Sequence, residues 1–122
     1  MRGILFRGKT VDTGEWVEGA YYKQTEYYGD PYEAHYIITT TDELEDNMML
    51  FERVDPETVG QFTGLFDKNY KRIFEGDIMR NAGNVVEFYN GSFCINGDSP
   101  LSFWTGTEII GNIHDDREKE EK

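Results

Sequence analysis

The sequence predicts a mainly β fold of short antiparallel strands, with an SH3-like barrel in the C-terminal half and a β extension before it. Three observations carry that expectation. Aromatic residues make up 15% of the chain, with eight Phe, eight Tyr and two Trp, types that suit a pleated, half-buried surface. The 13 glycines fall between apolar runs, where a chain of short strands needs its turns. Asn90-Gly91 separates the apolar runs 85–89 and 92–95, the strongest short-range hairpin signal.

Taken in order, Ile4-Leu5-Phe6-Arg7 is a first strand. The turn Asp12-Thr13-Gly14 leads into a second, residues 16–22, and the β-branched, aromatic run 36–40 is a third. Between the last two, residues 27–32 form a tyrosine-rich loop. Residues 42–50 allow two readings. Asp42 with Glu45 matches a capping box for a short helix through Met49. A loop from 41 to 47 followed by a strand over 48–54 is the favoured alternative, because a β meander leaves a helix little room. Asp55-Pro56-Glu57-Thr58 then combines an Asp N-cap, Pro at the first helical position and an acid in the first turn. Gly60 ends that helix within a turn.

A two-residue turn at Asn90-Gly91 fixes the register of its hairpin. It pairs Tyr89 with Ser92, Phe88 with Phe93, Glu87 with Cys94 and Val86 with Ile95. Val86, Phe88, Phe93 and Ile95 then share one face, and Glu87, Tyr89, Ser92 and Cys94 the other. A strand at 77–80 turning through 81–84 precedes the hairpin, and a strand over 106–113 follows it. Residues 60–114 read as a small antiparallel meander of the kind that closes into an SH3-like barrel.

The 122 residues make one domain, expected over 1–114, with a β part to about residue 54 and the barrel from about 55. The charged tail 115–122 has nothing apolar to bury and is read as disordered. Acids outnumber bases 24 to 12, for a net charge of -12. That balance argues against direct binding to nucleic acid or an anionic membrane, since both select a basic footprint. Half of the excess lies in residues 42–66, which are net -6. Residues 67–114 are only mildly acidic, and Lys68, Lys71, Arg72 and Arg80 lie close together there. No apolar run is long enough to span a bilayer. The N-terminus lacks the apolar stretch and cleavage site of a signal peptide. Cys94 is the only cysteine, which suits a reducing cytoplasm, and with His35 and His114 it is too little for a structural zinc site.

The segment Val54-Asp55-Pro56-Glu57-Thr58-Val59-Gly60-Gln61-Phe62-Thr63-Gly64-Leu65-Phe66-Asp67-Lys68-Asn69-Tyr70-Lys71-Arg72-Ile73-Phe74-Glu75-Gly76-Asp77-Ile78 resembles the YopX family of phage and prophage proteins. Phe6-Arg7-Gly8, Gly14-Glu15-Trp16-Val17 and Ile109-Ile110-Gly111-Asn112-Ile113 extend the likeness over nearly the whole domain. The resemblance implies a largely β fold with an SH3-like barrel, a phage or prophage origin, and a homo-oligomer; with the lone cysteine and no signal peptide, the expected location is the cytoplasm of the bacterial host cell. It implies no activity, so no catalytic residue is carried over. Its signature positions Gln61, Thr63, Gly64, Asp67, Glu75, Gly76, Asp77, Gly111 and Asn112 are read as structural. Tyr70 departs from the pattern, which more often has Gly after the Asn. The turn is then closed by Asn69 in the left-handed region or by another turn type.

Glu75 and Asp77 flank Gly76 and, in an extended segment, point the same way, as a pair sharing a cation would. The plainer reading is a turn entering a strand, with Asp77 accepting from local amides. Asp67-Lys68-Asn69 is likewise a surface turn. Cys94 with either histidine lacks any flanking nucleophile motif. No phosphate loop, Ser-His-Asp order or His-x-x-x-His is present, so no catalytic residue, cofactor or metal site is expected. Tyr21, Tyr22, Tyr27, Tyr28, Tyr32 and Tyr36 fall within sixteen residues, and tyrosine gives large contact area at low entropy cost. They are the candidate interface, weighed against packing on the outer face of the N-terminal sheet. The expected function is a non-enzymatic, homo-oligomeric interaction module, with a host protein as a further partner. An acidic decoy that inhibits a host nucleic-acid-binding enzyme is the alternative, and a carboxylate or metal-dependent enzyme comes third.

Overall fold

A computed structural model describes residues 4–40, 49–80, 85–89, 91–95 and 99–115. The chain is mainly antiparallel β and divides into two compact units, Met1–Gln61 and Phe62–Lys122.

In the first unit, β1 (Phe6–Lys9), β2 (Trp16–Glu26), β3 (Tyr32–Thr40) and β4 (Met49–Arg53) lie in the order β4-β3-β2-β1. β1 begins two residues later than the apolar run suggests, because its ladder is set by Lys9 opposite Trp16. Gly14, at φ 73, makes the turn between β1 and β2, and Thr10 N donates to Glu15 O across it. β2 and β3 are longer than expected, so the tyrosine-rich loop shrinks to 27–31 around Gly29, at φ 83. β3 registers Tyr22 with Tyr36, and β4 registers Phe51 with Ile38. β4 occupies most of the strand alternative, whereas the proposed helix cap at Asp42 and Glu45 lies outside the described residues.

The end of β1 meets the end of β4. Thr10 bridges Val54, with Val11 N donating to Arg53 O at 3.0 Å and Asp55 N to Lys9 O at 2.9 Å. Among the described residues of this unit, the buried apolar side chains are Ala34, Ile37 and Val54. Gly19 permits the closest approach: a Cβ there would stand 2.0 Å from the Ile38 carbonyl oxygen. A 3-10 helix at Pro56–Thr58 follows, capped by Asp55, whose carboxylate accepts from Glu57 N. Thr58 Oγ1 in turn accepts from Lys9 N at 2.9 Å.

The strand β5 (Gly60–Phe66) begins by pairing Gly60 and Gln61 with Arg7 and Phe6 of β1. From Phe62 onward it belongs to the second unit and pairs with β6 (Arg72–Phe74). β7 (Asp77–Met79), β8 (Val86–Tyr89), β9 (Ser92–Ile95), β10 (Ser99–Pro100), a 3-10 helix (Leu101–Trp104) and β11 (Ile109–Asn112) follow. β8 and β9 pair in the register dictated by the Asn-Gly turn, from Val86 opposite Ile95 to Tyr89 opposite Ser92. The hydrophobic division of their faces is less clean. Val86 and Ile95 are buried and Phe93 half-buried, but Phe88 is 54% exposed, while Cys94 on the other face is buried. β10 pairs along the other edge of β9, with Pro100 opposite Cys94.

β11 pairs with β7 and is shorter than the sequence suggests. Thr107 N and Oγ1 both bond to Trp104 O, which holds residues 104–107 in a turn. Ile78 bridges Val85, linking β7 to β8. The core is Ile73, Met79, Val86, Ile95 and Leu101, flanked by Leu65, Phe93, Trp104 and Ile109. Among the described residues, these ladders do not trace a closed barrel. The turn 81–84 and the tail from 116 lie outside the described residues.

Candidate interaction surface

Strand alternation sorts the candidate tyrosines into three groups. Register places Tyr22, Tyr32 and Tyr36 on one face of the β2–β3–β4 sheet, with Met49, Phe51 and Arg53 from β4 beside them. The Tyr22, Tyr36 and Phe51 rings form a triangle, with centroids 6.4, 5.9 and 6.2 Å apart and both Phe51 contacts edge-on. That geometry suits the ring quadrupoles. Arg53 lays its guanidinium 5.5 Å over the Tyr32 ring. Phe51 is 53% and Tyr22 40% exposed, so the triangle faces solvent.

Polar groups hold the rings in place. Tyr36 Oη donates to Glu26 Oε1 at 2.9 Å, and Tyr22 Oη donates to Gln24 Oε1 at 3.2 Å. The Glu26 hydrogen bond, then burial and the Glu26 charge, raise the Tyr36 hydroxyl above a phenol's usual pKa, against the opposing pull of Arg53. The same face continues along β2 to Trp16, whose ring lies 4.5 Å from the Arg7 guanidinium and 5.4 Å from Lys9 Nζ.

Tyr21 stands on the opposite face. It packs 5.4 Å from Phe6, stacks on His35 at 5.8 Å, and its hydroxyl meets His35 Nδ1 at 2.5 Å. Burial first, and Glu33 second, raise its pKa. Tyr27 and Tyr28 sit at the β2–β3 turn, and Tyr28 is 83% exposed. Sequence proximity therefore grouped six tyrosines, of which the sheet gathers Tyr22, Tyr32 and Tyr36. It missed Phe51, Arg53 and Trp16. The alternation Met49, Phe51, Arg53 was the signal available for the first two, once 48–54 was taken as a strand.

Gln61 opposes Phe6 in the first unit; the other signature residues lie in the second, within β5, at the turns after β5 and before β7, and at the end of β11. Thr63 Oγ1 donates to Ile73 O at 2.8 Å, and Gly64 takes φ 87. Asp67 is buried, unlike the surface turn expected. Its Oδ1 accepts from Asn69 N and Lys71 N at 2.8 and 2.9 Å, and its Oδ2 from Ile109 N at 3.0 Å. Burial alone would raise its pKa; the three amide donors outweigh it, and the carboxyl lies below its usual value. The turn is completed by Tyr70 itself, at φ 64, and not by Asn69.

Gly76, at φ 92, makes the turn into β7, and its N donates to Val86 O. Asp77 is 1% exposed and its Oδ2 accepts from Phe74 N at 2.8 Å, whereas Glu75 is half-buried. Gly111 lies in β11. Asn112 Oδ1 accepts from His114 N and Asp115 N, so it caps the turn that leaves the strand. Among the described residues, no group of three or more His, Cys, Asp or Glu side chains is placed to hold a metal.

The chain is thus an antiparallel β protein in which buried carboxylates fix turns of the second unit and one face of the β2–β3–β4 sheet shows aromatic rings and an arginine to solvent. The family model described as YopX protein matches residues 5–119, and the chain belongs to that family. No curated protein and no solved structure matches it.

Proposed function

We propose that the chain is a non-enzymatic interaction module that assembles with copies of itself through the Tyr22–Tyr36–Phe51 face. The observation that carries this reading is the solvent exposure of a well-packed aromatic triangle on regular strands. Large rings held in one orientation lose little entropy on binding, and Tyr and Arg are enriched in interface centres. The family's phage or prophage origin, and action in the host cytoplasm, complete the reading.

The second unit is read as an open SH3-like barrel. Its support is the neighbour order of β11, β7, β8, β9 and β10, in which the last strand returns beside the first. The 3-10 helix Leu101–Trp104 before the last strand fits the same plan.

Sedimentation velocity at micromolar concentration tests the assembly. The wild type is expected to sediment as an oligomer, and Tyr22→Ser/Tyr36→Ser/Phe51→Ser as a monomer with an unchanged far-UV spectrum. A wild type that stays monomeric, or a triple variant that assembles normally, overturns the reading. The acidic decoy remains the second proposal, motivated by the net -6 of residues 42–66. Recovery of a nucleic-acid-binding enzyme on the immobilised monomeric variant at low salt would favour it.

A further inference from the structure

One edge of β2 is covered only at its start. β1 pairs with it from Trp16 to Gly19, and that ladder ends at Phe6. Ile4, which would stand opposite Tyr21 next, lies outside any strand and is 65% exposed. β3 accompanies β2 to its end on the other side, with Glu26 opposite Tyr32. Beyond Gly19, therefore, no strand among the described residues lies along the free side of β2.

Main-chain alternation decides which groups that edge shows. Val54 N donates to His35 O, so odd-numbered residues of β3 turn their main-chain groups toward β4 and even-numbered ones toward β2. In β2 the even-numbered residues accordingly bond to β3. Tyr21, Lys23 and Thr25 point their N–H and C=O groups outward, in line with Gly19, which pairs with Phe6. Among the described residues, no main-chain hydrogen bond engages these three on that side. Lys23, Gln24 and Thr25 are all exposed.

We propose that this open edge pairs with the same edge of a second copy, antiparallel across a two-fold axis at Gln24. A row of open main-chain donors and acceptors is a template for another strand, and an identical edge is self-complementary across a two-fold. Side chains select the register. With the axis at Gln24, Lys23 stands opposite the partner's Thr25, and Tyr22 opposite the partner's Glu26. Lys23 and Thr25 then exchange main-chain hydrogen bonds with the partner in both directions. No like charges meet, and each Gln24 amide can both donate to the other and accept from it.

Neighbouring registers are worse. An axis at Lys23 opposes two ammonium groups and brings the partner's Tyr27 to Gly19, where Phe6 already sits. An axis at Tyr22 sets the partner's Thr25 on the same occupied place. An axis at Thr25 leaves Lys23 opposite Tyr27, beyond the end of β2. A lysine on an edge commonly discourages pairing; here it excludes one register and permits the next. The pairing rests on the self-assembly reading above but uses a different surface. It sets the two Tyr22–Tyr36–Phe51 triangles on the same side of one continuous sheet.

Two measurements test it. Amide exchange is followed by NMR where the chain sediments as a monomer and where it associates. The Lys23 and Thr25 amides are expected to gain about tenfold protection or more on association. Those of Tyr22 and Gln24, bonded to β3, are expected to be protected in both. Fast exchange of Lys23 and Thr25 in the associated chain overturns the proposal. So does their protection in the monomer, because a strand of the same chain would then lie on the edge.

The second measurement uses disulfides. Gln24 and the partner's Gln24 form a non-hydrogen-bonded pair, with Cα atoms about 4.5 Å apart, within reach of a disulfide. Lys23 and the partner's Lys23 are diagonal neighbours at about 7–8 Å, too far without movement. Gln24→Cys is expected to form a covalent dimer in air about tenfold faster or more than Lys23→Cys, with Cys94 buried in both. Equal rates, the reverse order, or capture of unrelated peptides without a covalent dimer overturn the proposal. Cross-linking at position 24 that survives Tyr22→Ser/Tyr36→Ser/Phe51→Ser supports the edge and removes the aromatic face as a required contact. Assembly lost in that triple variant, with no preference for position 24, removes the edge and leaves the face standing.

Discussion

β2 and β3 are the longest strands of the chain, at eleven and nine residues, yet the unit they dominate buries only Ala34, Ile37 and Val54 among its described apolar side chains. The shorter strands after Phe62 bury Ile73, Phe74, Met79, Val86, Cys94 and Ile95, and the 3-10 helix adds Leu101. Strand length and core formation are thus separated in this protein. The first unit is a long hydrogen-bonded ladder whose large rings lie on its surface. The second is a set of short ladders wrapped on one apolar cluster, with Asp67 and Asp77 fixing its turns from inside. The first unit thus shows its large rings to solvent, and the second buries its apolar residues.

That contrast can be broken most forcefully in the second core. Ile73→Ala removes a fully buried side chain and is expected to cost about 3 kcal/mol or more, read from the urea midpoint. A cost below about 1 kcal/mol would mean that the second unit lacks the firm core described here.

Asp67→Ala is expected to cost about 3 kcal/mol, because three amides lose a charged acceptor. The same carboxylate gives a pH signature. Its pKa is lowered by folding from a reference of 3.8, so its contribution is complete above that reference and is lost as pH falls through the folded value. Urea midpoints taken from neutral pH down to the acid limb should fall more steeply for wild type than for Asp67→Asn. Equal slopes would show that this carboxylate is not held by the amides.

Smaller effects sharpen the contrast. Tyr70→Gly relieves a left-handed backbone and is expected to stabilise by about 0.5 to 1 kcal/mol, visible as a rise in Tm. Phe51→Ser removes a ring that is mostly in water, and should change the stability of the monomer by less than about 1 kcal/mol. A large loss there would move Phe51 from the surface to the core of the first unit.

Local chemistry was readable in the sequence, and contacts between distant residues were not. Asn90-Gly91 dictated the β8–β9 register, because a two-residue turn leaves one choice of pairing. Asp55-Pro56 announced the 3-10 helix by its cap and its first residue. Asp67 looked like a surface residue because one of its partners, Ile109, lies 42 positions away. Tyr70 gave no hint of its φ, since nothing in its side chain favours the left-handed region. The Leu101–Trp104 helix has no side-chain cap to announce it. For the candidate surface, composition located the tyrosines, but only pairing with β4 separated Tyr21 from the others and added Phe51 and Arg53.

Gly19 gives the aromatic face a form of error control. The β2 backbone meets the Ile38 carbonyl so closely there that any Cβ would collide with it. A slip of β2 by one residue would bring Glu18 or Ala20 to that point, and would also turn every ring to the wrong side of the sheet. The contact that requires glycine at position 19 therefore also disfavours the misaligned pairing.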